Sequence, residues 1–151
     1  MNPTNIFLET AIVFFGCIGF SILVNIPRKN LIPAALTGAL GYIVNILMTN
    51  AGFGAASSAF AAACFAALLS EVLSRLHKEA ATIYVIPGII PLVPGAGAYF
   101  TVINFINADY EQALMYARET LFTAGSIALA LLVAGSFTRI YISIKENRKW
   151  N

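Results

Sequence analysis

Residues 86–95 read IPGIIPLVPG, and the reading of this stretch decides the fold. It lies in a run from Ala80 to Ala108 that carries no charged residue. A run of that length and polarity matches a membrane helix, which needs about 20 apolar residues to cross the hydrocarbon core. Yet Pro87, Pro91 and Pro94 lack the backbone N–H that a helix uses, and Gly88 and Gly95 loosen it further. The helix is interrupted where interruption costs most.

The rest of the chain fixes the solvent around that run. Hydrophobic residues make up 59% of the 151 and charged residues 11%, with a mean hydropathy of +0.80. Soluble domains carry about 25% charged residues. The composition therefore predicts an all-α, polytopic integral membrane protein, with residues 1–151 as a single transmembrane module in a lipid bilayer. The net charge of +2 is small, and no basic patch with interleaved aromatics points to nucleic acid. Cys17 and Cys64 lie inside apolar segments without CxxC spacing or a flanking His, so both read as small buried residues rather than a disulfide or metal pair. MNPTNIFLET has no Lys or Arg before its apolar run. It does not match a signal peptide, and the first segment is expected to stay as a spanning helix.

Five crossings are expected: roughly 6–26 with Glu9 near one end, 31–49, 53–73, the interrupted run, and 120–144 with Arg139 near its end. The polar stretch from Asn107 to Glu119 reads as a short segment at the surface, open to a helical conformation. Charges alternate between connectors. Arg28 and Lys29 follow the first segment, Arg75 and Lys78 the third, and Lys145, Arg148 and Lys149 the fifth. The second turn is neutral, and the fourth connector carries Asp109 and Glu111, with Arg118 and Glu119 side by side further on. The positive-inside rule then gives an outside N-terminus and a cytoplasmic C-terminus. That alternation requires the interrupted run to be a full crossing.

Small residues recur four apart in the third segment (Ser57/Ala61, Ala59/Ala63, Ala63/Ala67) and in the fifth (Ser126, Ala130, Ala134). Such spacing lets helices approach closely in lipid, so both segments are expected to supply contact faces, internal or to another chain. Five crossings cannot divide into two equal inverted halves, the plan of many transporters. The count implies one part of something larger.

Irregular backbone survives in lipid only against protein or a water-filled cavity. In a helical reading, Pro87 frees the carbonyl of Ile83, Pro91 that of Pro87 and Pro94 that of Ile90. Gly95-Ala96-Gly97-Ala98 is then expected to start a new half-helix whose first amides are free and carry partial positive charge. Three prolines and three glycines between Pro87 and Gly97 point to a substrate path or gate rather than a simple kink. Polar residues around it, Asn25, Asn45, Thr82, Tyr84, Tyr99, Thr101 and Asn104, are candidates to complete it. A bulky side chain at Gly95 is expected to abolish function. Glu71 and Arg75 stand four apart and can share a helix face, as an ion pair or a proton-linked carboxylate. His77 reads as a surface residue. No Ser/His/Asp, HExxH or metal-ligand cluster is visible, so an enzyme, a metal site and a cofactor are not expected.

IPGIIPLVPGAGAY resembles the central signature of the threonine/serine exporter family, in particular its small five-helix module. GFSILVNIPRKNL (Gly19–Leu31), GALGYIVN (Gly38–Asn45), the Glu71/Arg75 connector and LFTAGSIALAL (Leu121–Leu131) fit the same module. The resemblance implies an exporter of small amino acids such as threonine or serine in a bacterial inner membrane, driven by protons. Members with a split architecture are associated with dicarboxylates such as succinate. It also implies a larger membrane subunit of the same family as partner, and carries over Pro87, Gly88, Pro91, Pro94, Gly95 and Tyr99 as the functional stretch. Two other classes stay open: a homo-oligomeric carrier or channel without partner, and a structural or assembly subunit.

Overall fold

The computed structural model describes residues 3–147, with side-chain burial described over 6–138. Arg148, Lys149 and the rest of the tail, part of the charge pattern above, lie outside the described residues. Six α-helices follow one another: α1 Pro3–Leu23, α2 Leu31–Asn50, α3 Ala55–His77, α4 Thr82–Ile89, α5 Gly95–Ile106 and α6 Tyr110–Asn147. Short 3-10 turns cover Arg28–Asn30 and Ile90–Leu92. Among the described residues there is no strand.

The helices stop where one residue turns left-handed. Asn25 (φ 57°) follows α1, Gly52 (φ 91°) α2, Lys78 (φ 56°) α3 and Ala108 (φ 60°) α5. In each case the next amide reaches back to a carbonyl of the last turn: Ile26 to Ser21 at 3.0 Å, Phe53 to Met48 at 3.2 Å, Glu79 to Ser74 at 3.0 Å, and Asp109 to Asn104 at 3.0 Å. This motif satisfies carbonyls that a helix end would leave bare. Asn25 therefore terminates α1 three residues before the expected boundary, and Pro27 blocks any continuation. It serves as a cap and is solvent- or lipid-exposed.

Among the described residues four helices are long and apolar enough to cross a membrane, and the count is five if α4 and α5, bent by 49° at their break, make one broken span rather than a re-entrant loop. The polar stretch at Asn107–Glu119 is helical over most of its length and continuous with the last crossing. From Tyr110 onward it is the start of α6, a helix of 38 residues, roughly 57 Å long. The Asp109 carboxylate accepts from the Gln112 amide at 3.2 Å, an N-cap. No Gly or Pro then interrupts the chain before Gly125.

Small residues hold the bundle together. α2 packs on α1, α3 and α4, α3 packs on α6, and α5 packs on α6. The core joins Ala59, Ala62 and Ala63 of α3, Leu92, and Ile127 and Ala130 of α6. Cys64 Sγ lies 3.7 Å from the Ala130 carbonyl oxygen, so the two backbones approach closely. The contact faces expected from Ala59/Ala63/Ala67 and Ala130/Ala134 thus meet inside this chain, all five being buried. Ser57 is exposed and Ser126 half-buried. Both cysteines are free thiols. Large apolar side chains point outward all round, among them Phe7, Ile12, Phe15, Leu121, Leu132 and Phe137, as expected where lipid replaces water.

Candidate functional site

The break between α4 and α5 is shaped by its three prolines and by one contact from α1. Pro87 sits inside α4, and Pro91 removes the amide that would bond to the Pro87 carbonyl. Cys17 Sγ of α1 takes that place, 3.6 Å from Pro87 O. The Ile90 carbonyl, freed by Pro94, accepts from the Val93 amide at 3.3 Å. Pro94 (φ −77°, ψ 57°) then bends the chain through an inverse γ-turn, in which the Gly95 amide donates to Val93 O at 2.8 Å. Ala98 N to Pro94 O, 3.1 Å, is the first bond of α5. Ala96 and Gly97 are left as the first-turn amides without a partner in the helix. Of the three carbonyls that the prolines free, those of Pro87 and Ile90 are already satisfied by the protein, and the amides remain.

Helix α2 closes over the break through glycines. A Cβ at Gly38 would lie 2.9 Å from Pro87 O, and one at Gly88 would lie 2.8 Å from Thr37 Cγ2. Gly41 faces Ala66 and the Gly88 carbonyl. Side chains at these positions would push α4 off α2. At the α3–α4 end, fully buried Tyr84 donates to Asn30 Oδ1 at 3.1 Å, and Lys29 pairs with Glu79 at 2.6 Å. Lys29 holds the Glu79 carboxyl below the usual carboxylate range by hydrogen bond and charge. Glu79 in turn raises Lys29.

On the other side of the break lies a cavity of about 420 Å3, within the range of small-ligand sites. The start of α5 (Pro94, Ala96, Gly97) forms one wall, Asn45 and Thr49 of α2 another, and Glu119, Thr120 and Thr123 of α6 a third. Thr37, Thr49, Thr101, Ser21, Ser70 and Ser136 each donate to the carbonyl four residues back. Thr120 Oγ1 is buried without a partner, as is Thr10 Oγ1 of α1, and Thr123, 7% exposed, makes no hydrogen bond. Buried polar groups are normally satisfied; Thr120 Oγ1 is an exception that lies beside the free helix amides. Gly97 packs directly against Thr120 Oγ1, which brings α5 onto α6 at this point.

The structure brings some of the sequence candidates together and separates others. Pro94, Gly97 and Asn45 line the cavity. Pro87 and Gly88 are buried against α2, and Pro91 starts the 3-10 turn; these three shape the break without reaching the cavity. Tyr99 is 63% exposed and stacks edge-on with Phe100, and Asn104 donates to Phe100 O at 2.8 Å on an exposed face. A Cβ at Gly95 meets nothing within 4 Å, whereas one at Gly88 or Gly97 would overlap a threonine side chain. Glu71 and Arg75 line a separate groove of about 280 Å3 with Phe137 and Thr138, between α3 and α6. Thr49, Glu119, Thr120 and Thr123 had no signal in the sequence. They become visible only when α5 docks on α6.

No solved structure matches this chain. A family model described as "Threonine/Serine exporter, ThrE" matches residues 9–137, which contain the whole bundle around the break and the cavity, and the chain belongs to that family.

Proposed function

We propose that this chain is the small subunit of a secondary-active exporter in a bacterial inner membrane. It moves small carboxylate-bearing metabolites, threonine and serine or dicarboxylates such as succinate, together with a larger membrane subunit of the same family. The N-terminus lies outside and the C-terminus in the cytoplasm, following the basic connectors after α1 and α3. One observation carries the substrate reading. The unshared amides of Ala96 and Gly97 open the first turn of a half-helix beside a cavity lined by Asn45 and by Thr120, whose hydroxyl is buried and unsatisfied. Free amides at the positive end of a helix dipole suit a carboxylate, and broken transporter helices use this arrangement near the bilayer midplane. Pro87, Gly88, Pro91, Pro94 and Gly95 serve as the shaped hinge rather than as ligands. Glu71 and Arg75 are the second candidates for an ion pair or a proton-linked carboxylate.

Reconstitution tests the reading. Liposomes holding this chain and the larger subunit should release labelled threonine or succinate, and liposomes holding either alone should not. Flux from this chain alone would replace the two-subunit reading with a homo-oligomeric carrier. Absence of flux for every carboxylate with both subunits present would remove the substrate reading.

A further inference from the structure

The cavity beside α5 contains one charge that the reading above does not use. Among the described residues lining it, Glu119 alone is of a charged type. It makes no ion pair among the described residues. Arg118, next in sequence, lines only the adjoining cavities, because neighbours on a helix point about 100° apart. Glu119 itself also borders one of those, of about 440 Å3. A single guest therefore meets two opposite fields: partial positive charge from the Ala96 and Gly97 amides, and a full negative charge from α6. Thr123, 7% exposed and without a hydrogen bond, lines the same cavity as a neutral donor and acceptor.

We infer that Glu119 is the specificity-determining residue of this cavity, holding the ammonium group of a zwitterion whose carboxylate sits on the Ala96 and Gly97 amides. A guest with a carboxylate at both ends brings its second negative charge to Glu119 and is disfavoured. Like-charge juxtaposition is an established way to reject a wrong partner. This rests on the proposal that the cavity binds substrate, and it narrows the substrate class from any carboxylate to one that also carries a positive charge.

The experiment is equilibrium binding to the full chain in lipid nanodiscs by titration calorimetry, with three probes. They are L-threonine, 3-hydroxybutyrate (the same skeleton without the ammonium) and succinate. The unmodified chain should bind threonine most tightly and succinate least. Glu119→Gln should bring threonine and 3-hydroxybutyrate within about twofold of each other, a loss of roughly fivefold in preference, the effect of a unit charge about 4 Å away in a water-like medium. Glu119→Lys should invert the order and favour succinate. Glu119 is exposed, so neither change threatens folding, and unchanged unfolding curves check that. An unaltered preference in both variants overturns the role of Glu119 while leaving the cavity as the binding site, and so does tighter binding of succinate by the unmodified chain. Loss of binding in a cavity-filling Ala96→Phe chain shows that the site is the one tested. No binding of any probe by the unmodified chain overturns both readings.

Discussion

Adding one methyl group at Gly97 should separate α5 from α6. A Cβ there would overlap Thr120 Oγ1, while Thr120 Cβ would stay at 3.6 Å, an ordinary contact. The overlap has two outlets: Thr120 leaves its rotamer, or α5 shifts by several tenths of an ångström. Overpacking of this kind costs about 1–3 kcal/mol. For a chain of this length, each kcal/mol lowers Tm by about 2–4 °C. The clash involves the hydroxyl alone, so Thr120→Ala should remove it. Gly97→Ala should therefore lower Tm by several degrees, and Gly97→Ala with Thr120→Ala should restore most of the loss. That coupling is the signature of direct contact. Thermal unfolding in nanodiscs, followed by circular dichroism, measures all four corners of the cycle. Additive effects, or an unchanged Tm in Gly97→Ala, would refute the close approach of α5 to α6 on which the cavity depends.

Gly95→Ala is the matched control: its Cβ meets open space, so Tm should change by less than about 0.5 kcal/mol in equivalent stability and binding should persist. Tyr84→Phe strips fully buried Asn30 Oδ1 of its donor and should cost about 1–3 kcal/mol, read as a lower Tm. The Lys29–Glu79 pair sets a pH dependence. Glu79 is depressed in the folded chain, so its contribution is full above the ordinary glutamate range, about 4.3, and fades as pH falls through the lower folded value. Lys29 is raised, so its contribution is full below about 10.4 and fades as pH rises through the higher folded value. The Tm difference between the unmodified chain and Glu79→Gln should be small, flat around neutral pH and smaller in acid. Both side chains retain solvent contact, at 68% and 25% exposure, and molar salt should reduce the difference further.

Much of the bundle is legible in the sequence because bilayer length, proline chemistry and charge placement act locally. The charge-free run from Ala80 to Ala108 with its prolines already encodes a break, and the structure bends it there by 49°. Ala59, Ala63, Ala130 and Ala134 announce a close helix contact by spacing alone, and all four are buried. The Asn107–Glu119 stretch, read as a short polar surface segment open to a helix, is mostly the start of α6, capped by Asp109; its continuity with the last crossing was not legible. The close contact of the first α5 turn belongs to Gly97 rather than Gly95. The cavity itself was only partly legible. Pro94, Gly97 and Asn45 stand near the motif or carry an obvious amide, but Glu119, Thr120 and Thr123 are far away in sequence and reach the site through tertiary packing. Cys17 was read as a small buried residue, and it is one. Its contact with the Pro87 carbonyl, 70 positions away, could not be read from spacing.

The central claim is that the break exposes the first turn of α5 to a water-filled site that holds a substrate carboxylate. The most direct measurement is the reactivity of Ala96→Cys toward a charged, water-soluble thiol reagent, in a chain whose Cys17 and Cys64 are replaced by serine, with and without threonine or succinate. Ala96 borders the cavity and Tyr99 faces outward. The account predicts that Ala96→Cys is modified readily, that substrate slows the reaction, and that Tyr99→Cys, facing lipid, reacts slowly regardless of substrate. An unreactive Ala96→Cys, or a reactive one that no carboxylate protects, would contradict it.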